Sequence, residues 1–133
     1  MAAPFETTLP RTVDAPRMAR HLLAEWLPDL TGEELGSAQL AVSELVTNAV
    51  VHGRGRVVLR ADLDDDRVLV EVIDDGHGFE RTVRQRDFES VGGRGLGIVD
   101  VVASRWGIHE GTTHVWFELE RPGPRLGPDS KPL

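Results

Sequence analysis

Cysteine is absent from the 133 residues, which removes disulfides, thiolate nucleophiles and zinc-thiolate centres from consideration. Positive charge is scarce. The 15 Lys and Arg residues stand against 22 Asp and Glu, and the formal charge of -7 disfavours direct binding to nucleic acid, which needs a basic face to displace counterions. No stretch approaches the roughly 18 apolar residues that span a bilayer, so no membrane contact is expected. Met1 to Pro10 also lacks a basic segment followed by an apolar run, and a cytoplasmic protein is expected. There is no internal repeat and no G-x-x-x-x-G-K-[ST] phosphate loop. What remains is ordinary for a globular chain: 40% apolar and 28% charged residues, at a length that suits one core.

The pattern along the chain alternates between strand and helix signals. Phe5 to Leu9 is short, rich in Thr and apolar residues and closed by Pro10, which predicts an edge strand. Ala15 to Leu27 carries Met18, Leu22, Leu23, Trp26 and Leu27 at helical spacing, with Asp14 as its N-cap and Pro28 as its stop. Thr31 followed by Glu34 forms a capping box for a second helix. Its apolar positions, from Leu35 and Ala38 through Leu40, Leu45 and Val46 to Ala49, continue to about Val51 and end at Gly53.

Val57 to Leu63 and Val68 to Ile73 read as a hairpin around the acidic turn Asp64-Asp65-Asp66, whose aspartates are read as solvated. Glu80 to Gly92 is a polar connector, here termed the lid. Leu96 to Val102 suits a third helix. Trp106 to Glu110 and Thr113 to Leu119 suit a terminal hairpin turning at Gly111-Thr112. Residues 121–133 carry four prolines and two glycines and read as a disordered tail behind a domain of residues 1–120. This order has too few parallel crossovers for a doubly wound fold. It predicts an α+β two-layer sandwich, helices on one face of a largely antiparallel mixed sheet.

Chemistry concentrates in three places. Glu44, Asn48 and His52 recur at i, i+4 and i+8, which puts them on one helical face while Leu45, Val46 and Ala49 turn inward. A solvated polar stripe is the bland explanation. The side-chain types suit more: an Asn carboxamide is a hard oxygen donor for Mg2+, and a carboxylate one turn earlier can orient or deprotonate a hydroxyl or water near a phosphate. His52 either contacts phosphate or only closes the helix. Asp74-Asp75-Gly76-His77-Gly78 ends an apolar strand, where a carboxylate can project into a pocket and accept a hydrogen bond from an exocyclic amine such as that of adenine. Gly93-Arg94-Gly95-Leu96-Gly97 opens the third helix, and its exposed backbone N–H groups suit a polyphosphate. Arg94 either adds a phosphate contact or faces solvent. No buried strand ends directly at these glycines, which removes a dinucleotide fold.

In this order and spacing, the three segments resemble the nucleotide-binding boxes of the GHKL superfamily. The short chain is most similar to the bacterial anti-sigma-factor serine/threonine kinases, over nearly all of residues 5–120. The resemblance implies a Bergerat-type fold, with ATP and Mg2+ held between the helices and the lid. It assigns Glu44 as catalytic base, Asn48 as Mg2+ ligand and Asp74 as adenine acceptor, with Gly76 and Gly78 admitting the base. It also places Gly93, Arg94, Gly95, Leu96 and Gly97 at the phosphates, and His52 matches a position where relatives often carry His. The lid departs from the family in lacking an acidic, Ser-rich run before the glycines.

By the same resemblance the partners are a sigma factor and a small anti-anti-sigma antagonist phosphorylated on Ser or Thr, and a homodimer pairs through Phe5 to Leu27. A non-catalytic switch that uses ATP only to order its lid is the alternative, and a hydrolase using Glu44 on water is a third reading. His21 is not read as a phosphoacceptor, because no four-helix dimerisation segment accompanies it. His109 and His114 lack the spacing and carboxylates of a metal triad and read as surface or packing residues. Trp26, Trp106 and Trp116 read as core or interface anchors.

Overall fold

The computed structural model describes residues 4–76, 96–109 and 114–121. The elements run β1 (Phe5–Leu9), α1 (Ala15–Trp26), α2 (Gly32–His52), β2 (Val57–Leu63), β3 (Arg67–Asp74), α3 (Leu96–Val102), β4 (Arg105–Ile108) and β5 (Val115–Glu120). The strands form one sheet of order β1-β2-β3-β5-β4, with every ladder antiparallel. The helices cover one face. The architecture is the expected α+β two-layer sandwich, and the lid and the turn at Gly111-Thr112 lie outside the described residues.

Alternation along each strand decides which face is which. Val68, Val70 and Val72 of β3 are buried, as are Val115, Phe117 and Leu119 of β5, while the residues between them point away from the helices. α2 is the helix that meets this surface most fully. Its Ala38, Ala41, Val42, Leu45, Val46 and Ala49 are all buried, and small side chains on that stripe let the axis lie close to the sheet. α1 packs beside it through Ala15, Ala19 and Leu23, and burying a side chain the size of Leu23 contributes about 1.5–3 kcal/mol. Met18 and Leu40, both counted in the apolar periodicity, lie at the margins of their stripes and are exposed.

The two helix starts differ. Thr31 is extended, with φ -67° and ψ 165°, so its Oγ1 accepts from Glu34 N at 3.0 Å while Glu34 Oε1 accepts from Thr31 N at 2.9 Å. Asp14 does not cap α1. Its backbone is already helical, which turns the side chain away from the free N–H groups, and its carboxylate instead lies 3.4 Å from the Arg17 guanidinium. α1 and α2 are also tied by polar contacts, with Arg20 Nη1 donating to Ser43 Oγ at 2.8 Å and Gln39 Nε2 to Arg20 O at 3.1 Å.

Arg121, placed by composition in the tail, is buried. Its N–H donates to Asp66 O at 2.7 Å, and its guanidinium reaches Asp29 O and Asp64 O at 3.3 Å, 3.5 Å from the Glu34 carboxylate. The end of β5 is thereby fastened to the start of α2 and to the β2–β3 turn. Residues 122–133 lie outside the described residues. Among the described residues, no helix is long and apolar enough to cross a membrane.

The reciprocal bonds at Thr31 give a direct test. Thr31→Ala is expected to lower the unfolding free energy by about 1 kcal/mol in urea denaturation, with an unchanged m-value.

Candidate functional site

The site forms where α2 ends. Glu44 and Asn48 are half-buried on the surface of α2, and His52 is exposed on its last turn, while Leu45, Val46 and Ala49 sink into the core as the period requires. Acidic Glu33 and Glu34 lie at the helix N-terminus and His52 at its C-terminus, the polarity that suits the helix dipole. α3 packs alongside α2 through Leu96 and Val99.

Beside the C-terminus of α2 lies the end of β3, and the short connection 53–56 binds the two together. Asp74 Oδ1 accepts from Gly76 N at 2.7 Å and from Arg54 N at 3.4 Å. Asp75 N donates to Arg54 O at 2.8 Å, and Asp75 Oδ2 accepts from Arg56 N at 2.7 Å. Gly53 is indispensable to this approach, because a Cβ there would overlap the Asp74 carboxylate and the Ala49 carbonyl. Gly55, at φ +66°, turns the connection so that the Arg56 N–H meets Asp75. The result is a half-buried carboxylate, Asp74, held at a strand end against a helix terminus.

A second clamp comes from the β1–α1 loop. Arg11 donates from Nη1 to Ala49 O at 2.8 Å and from Nη2 to Val50 O at 2.6 Å and Gly53 O at 3.0 Å. Ala49 O already accepts from Gly53 N at 2.9 Å, so Arg11 adds a second donor there and reaches two further carbonyls at the helix end, where a fixed positive charge opposes the negative end of the dipole. Sequence reasoning missed Arg11. The only available signal was a lone Arg after the strand-ending proline, nearly forty residues from its target.

Of the residues predicted for the site, Glu44, Asn48 and His52 share α2, and Asp74 and Gly76 stand at the adjoining end of β3. Leu96 is buried and Gly97 exposed at the start of α3, which packs on α2. Gly78, Gly93, Arg94 and Gly95 lie outside the described residues. His109 and His114, read as lacking a carboxylate, have one in the fold: His114 Nε2 is 2.7 Å from Glu71 Oε2, across from β5 to β3. Pattern spacing does not reveal a partner contributed by a neighbouring strand.

The residues fit a nucleotide in chemical kind. Asp74 is an anionic acceptor at a strand end with backbone on two sides, and Asn48 offers a neutral oxygen on the adjoining helix. Asp75 serves the scaffold instead. Hydrogen bonds from the Arg56 backbone, then from its side chain, hold the Asp75 carboxyl below the usual carboxylate range.

A family model described as histidine kinase-like ATPase domain matches residues 9–119. The chain is similar to the anti-sigma F factor of Thermoanaerobacter sp. (strain X514), 39% identical over 56 residues that make up 39% of each chain. The anti-sigma F factor of Clostridium acetobutylicum is 43% identical over 56 residues, with the same shares. That of Clostridium perfringens (strain 13) is 38% identical over 64 residues, 44% of this chain and 46% of the relative. The alignments thus span less than half the length of the curated relatives they match. Among solved structures, the RsbU and RsbW domains of a Mycobacterium tuberculosis protein superpose with a TM-score of 0.65 at 27% identity, covering 90% of this chain and 32% of that one.

Two outcomes follow from the clamp. Gly53→Ala is expected to cost about 1–3 kcal/mol in urea denaturation, as overpacking does, and Gly53→Ala with Asp74→Gly is expected to recover part of it. Because the Asp75 pKa is lowered on folding, its contribution is present above the ordinary Asp range and is lost as pH falls through the lowered value. Acid titration followed by NMR is therefore expected to release the Arg56 amide only below the ordinary Asp range.

Proposed function

This chain belongs to the histidine kinase-like ATPase domain family, of the GHKL anti-sigma-factor kinase type, and on that footing we propose that it is an ATP-dependent protein serine/threonine kinase and anti-sigma factor. It phosphorylates a small anti-anti-sigma antagonist on Ser or Thr and sequesters a sigma factor when that antagonist is unavailable. The observation that carries the reading is the joining of two sequence-distant groups: the Glu44, Asn48 and His52 face of α2 ends at Gly53, and Gly53 lies against the Asp74 carboxylate.

In this reading Asp74, fixed against Gly53 and by the Arg54 N–H, accepts a charge-assisted hydrogen bond donated by the adenine amine. Gly76 and Gly78 admit the base, and Asn48 offers its carboxamide oxygen to Mg2+. Backbone N–H groups of Gly93, Arg94, Gly95, Leu96 and Gly97 contact the phosphates, with His52 at the end of α2 as a further phosphate contact. Bound MgATP supplies the phosphoryl group. Glu44, one turn before Asn48, takes the proton from the acceptor hydroxyl and orients its oxygen for in-line attack.

Residues 1–120 form the ATP-binding unit in this reading, extended by the anchored Arg121, and the remainder is a tail. The protein acts in the cytoplasm on other proteins, with no direct nucleic-acid contact, and pairs as a homodimer along β1 and α1. β1 supports this pairing. It is an edge strand whose only ladder among the described residues is with β2, and Phe5 stacks on Trp26 of α1 with ring centroids 5.4 Å apart.

Calorimetry with MgATP, paired with phosphate transfer to an antagonist recovered from the source cell, tests the reading. Asp74→Asn is expected to weaken ATP binding about tenfold to a hundredfold, or about 1.5–3 kcal/mol. Glu44→Gln is expected to leave binding intact and slow transfer by about 10²–10⁴. ATP binding without transfer by the native chain would leave a non-catalytic, nucleotide-ordered switch. Absence of ATP binding would overturn both.

A further inference from the structure

The face of the sheet turned away from the helices carries a cluster that the nucleotide site does not use. Glu71 on β3, His109 just after β4 and His114 just before β5 each offer a ligand atom, and these atoms all lie within 4.8 Å of one another. Register explains the convergence. His109 N donates to His114 O at 2.9 Å, continuing the β4–β5 ladder, and Glu71 pairs with Trp116, one step diagonally from His114 on the same face. The His109 and His114 rings lie 4.1 Å apart between centroids, and His114 Nε2 is 2.7 Å from Glu71 Oε2.

We propose that Glu71, His109 and His114 form a binding site for a borderline divalent transition-metal ion, Zn2+ in the first instance, separate from the nucleotide site. Two imidazoles and one carboxylate are the donors that Zn2+ takes in open sites, with water completing the tetrahedron, whereas Mg2+ and Ca2+ prefer all-oxygen sets. Zinc bonds of about 2.0–2.1 Å place tetrahedral ligand atoms about 3.3 Å apart, so the widest separation must close by no more than about 1.5 Å and the 2.7 Å Glu71–His114 separation must open by about 0.6 Å.

His109 is the exposed member of the three, while Glu71 and His114 have side chains only 16% and 19% exposed and are bonded to each other. Arg60 is the group that opposes the ion. It faces Glu71 directly across the β2–β3 ladder, but its Nη1 lies nearest Oε1, at 3.6 Å, and its Nε engages Glu6 at 3.1 Å, which leaves Oε2 turned to the histidines.

An ion bound there cross-links the β4–β5 end of the sheet to β3, three residues before Asp74. It would stiffen the sheet from the face opposite α2. The site would exist whether or not the chain transfers phosphate, because none of its ligands belongs to the α2 face.

The test is Zn2+ titrated into the full, chelator-treated chain without nucleotide, followed by calorimetry. Binding of one Zn2+ per chain at micromolar affinity is expected, weakened tenfold or more in His114→Ala, His109→Ala and Glu71→Gln and unchanged in His21→Ala. Imidazole NMR of the unsubstituted chain gives an independent reading, in which Zn2+ shifts the His109 and His114 resonances first. No binding overturns the site, as does binding that survives both His114→Ala and Glu71→Gln, or a Zn2+ response at His52 instead.

Discussion

Everything around the candidate site depends on how closely the last turn of α2 can approach the last residue of β3. A helix C-terminus presents bare carbonyls and negative dipole, and a strand ending in Asp presents a carboxylate, so the two repel on electrostatic grounds. Three features reverse that. Gly53 removes the atom that would separate them, the Arg54 N–H offers a hydrogen bond to Asp74, and the Arg11 guanidinium lies over the carbonyls of Ala49, Val50 and Gly53. The Asp74 carboxylate is thereby held against the end of the helix that carries Glu44 and Asn48, with that helix intact through His52.

The remaining structure serves to make that contact rigid. Small residues on α2 let it lie low on the sheet, so its axis is fixed by packing along most of its length rather than at its end. The capping box at Thr31 holds the far terminus, and Arg121 ties that terminus to the β2–β3 turn through the carbonyls of Asp29 and Asp64. β2 and β3 are joined by a continuous ladder from Val57 opposite Asp74 to Leu63 opposite Val68, so the turn and the site lie at opposite ends of one hairpin.

Much of this was legible in the sequence because it arises from periodicity and local chemistry. β1 and β2 fall where alternation and Pro10 placed them, α2 starts where Thr31 and Glu34 bond reciprocally, and the polar and apolar faces of α2 separate at the 3.6-residue period. Local reasoning failed where the deciding partner is remote. Asp14 has a capping side chain but not a capping backbone, and no single-residue preference reveals which applies. Arg11, Arg121 and the Glu71–His114 pair are contacts across the fold, set by strand order and helix position, which no nearby residue announces. In the candidate site, the helix that carries Glu44, Asn48 and His52 and the strand that ends at Asp74 were readable, but the support that holds Asp74 in place was not.

The order β1-β2-β3-β5-β4 has a consequence for how the chain is made. β5, the last of the described strands, lies between β3 and β4, both of which leave the ribosome before it. Through the synthesis of residues 75–114, β3 therefore stands with one side unpaired and its Val68, Val70 and Val72 row only partly covered. β5 both fills the open side of β3 and gives β4 its ladder, so Phe117 completes the surface on which α2 packs. Long-range strand insertion of this kind is slow compared with helix formation, and until it is complete an unpaired sheet edge is open to association.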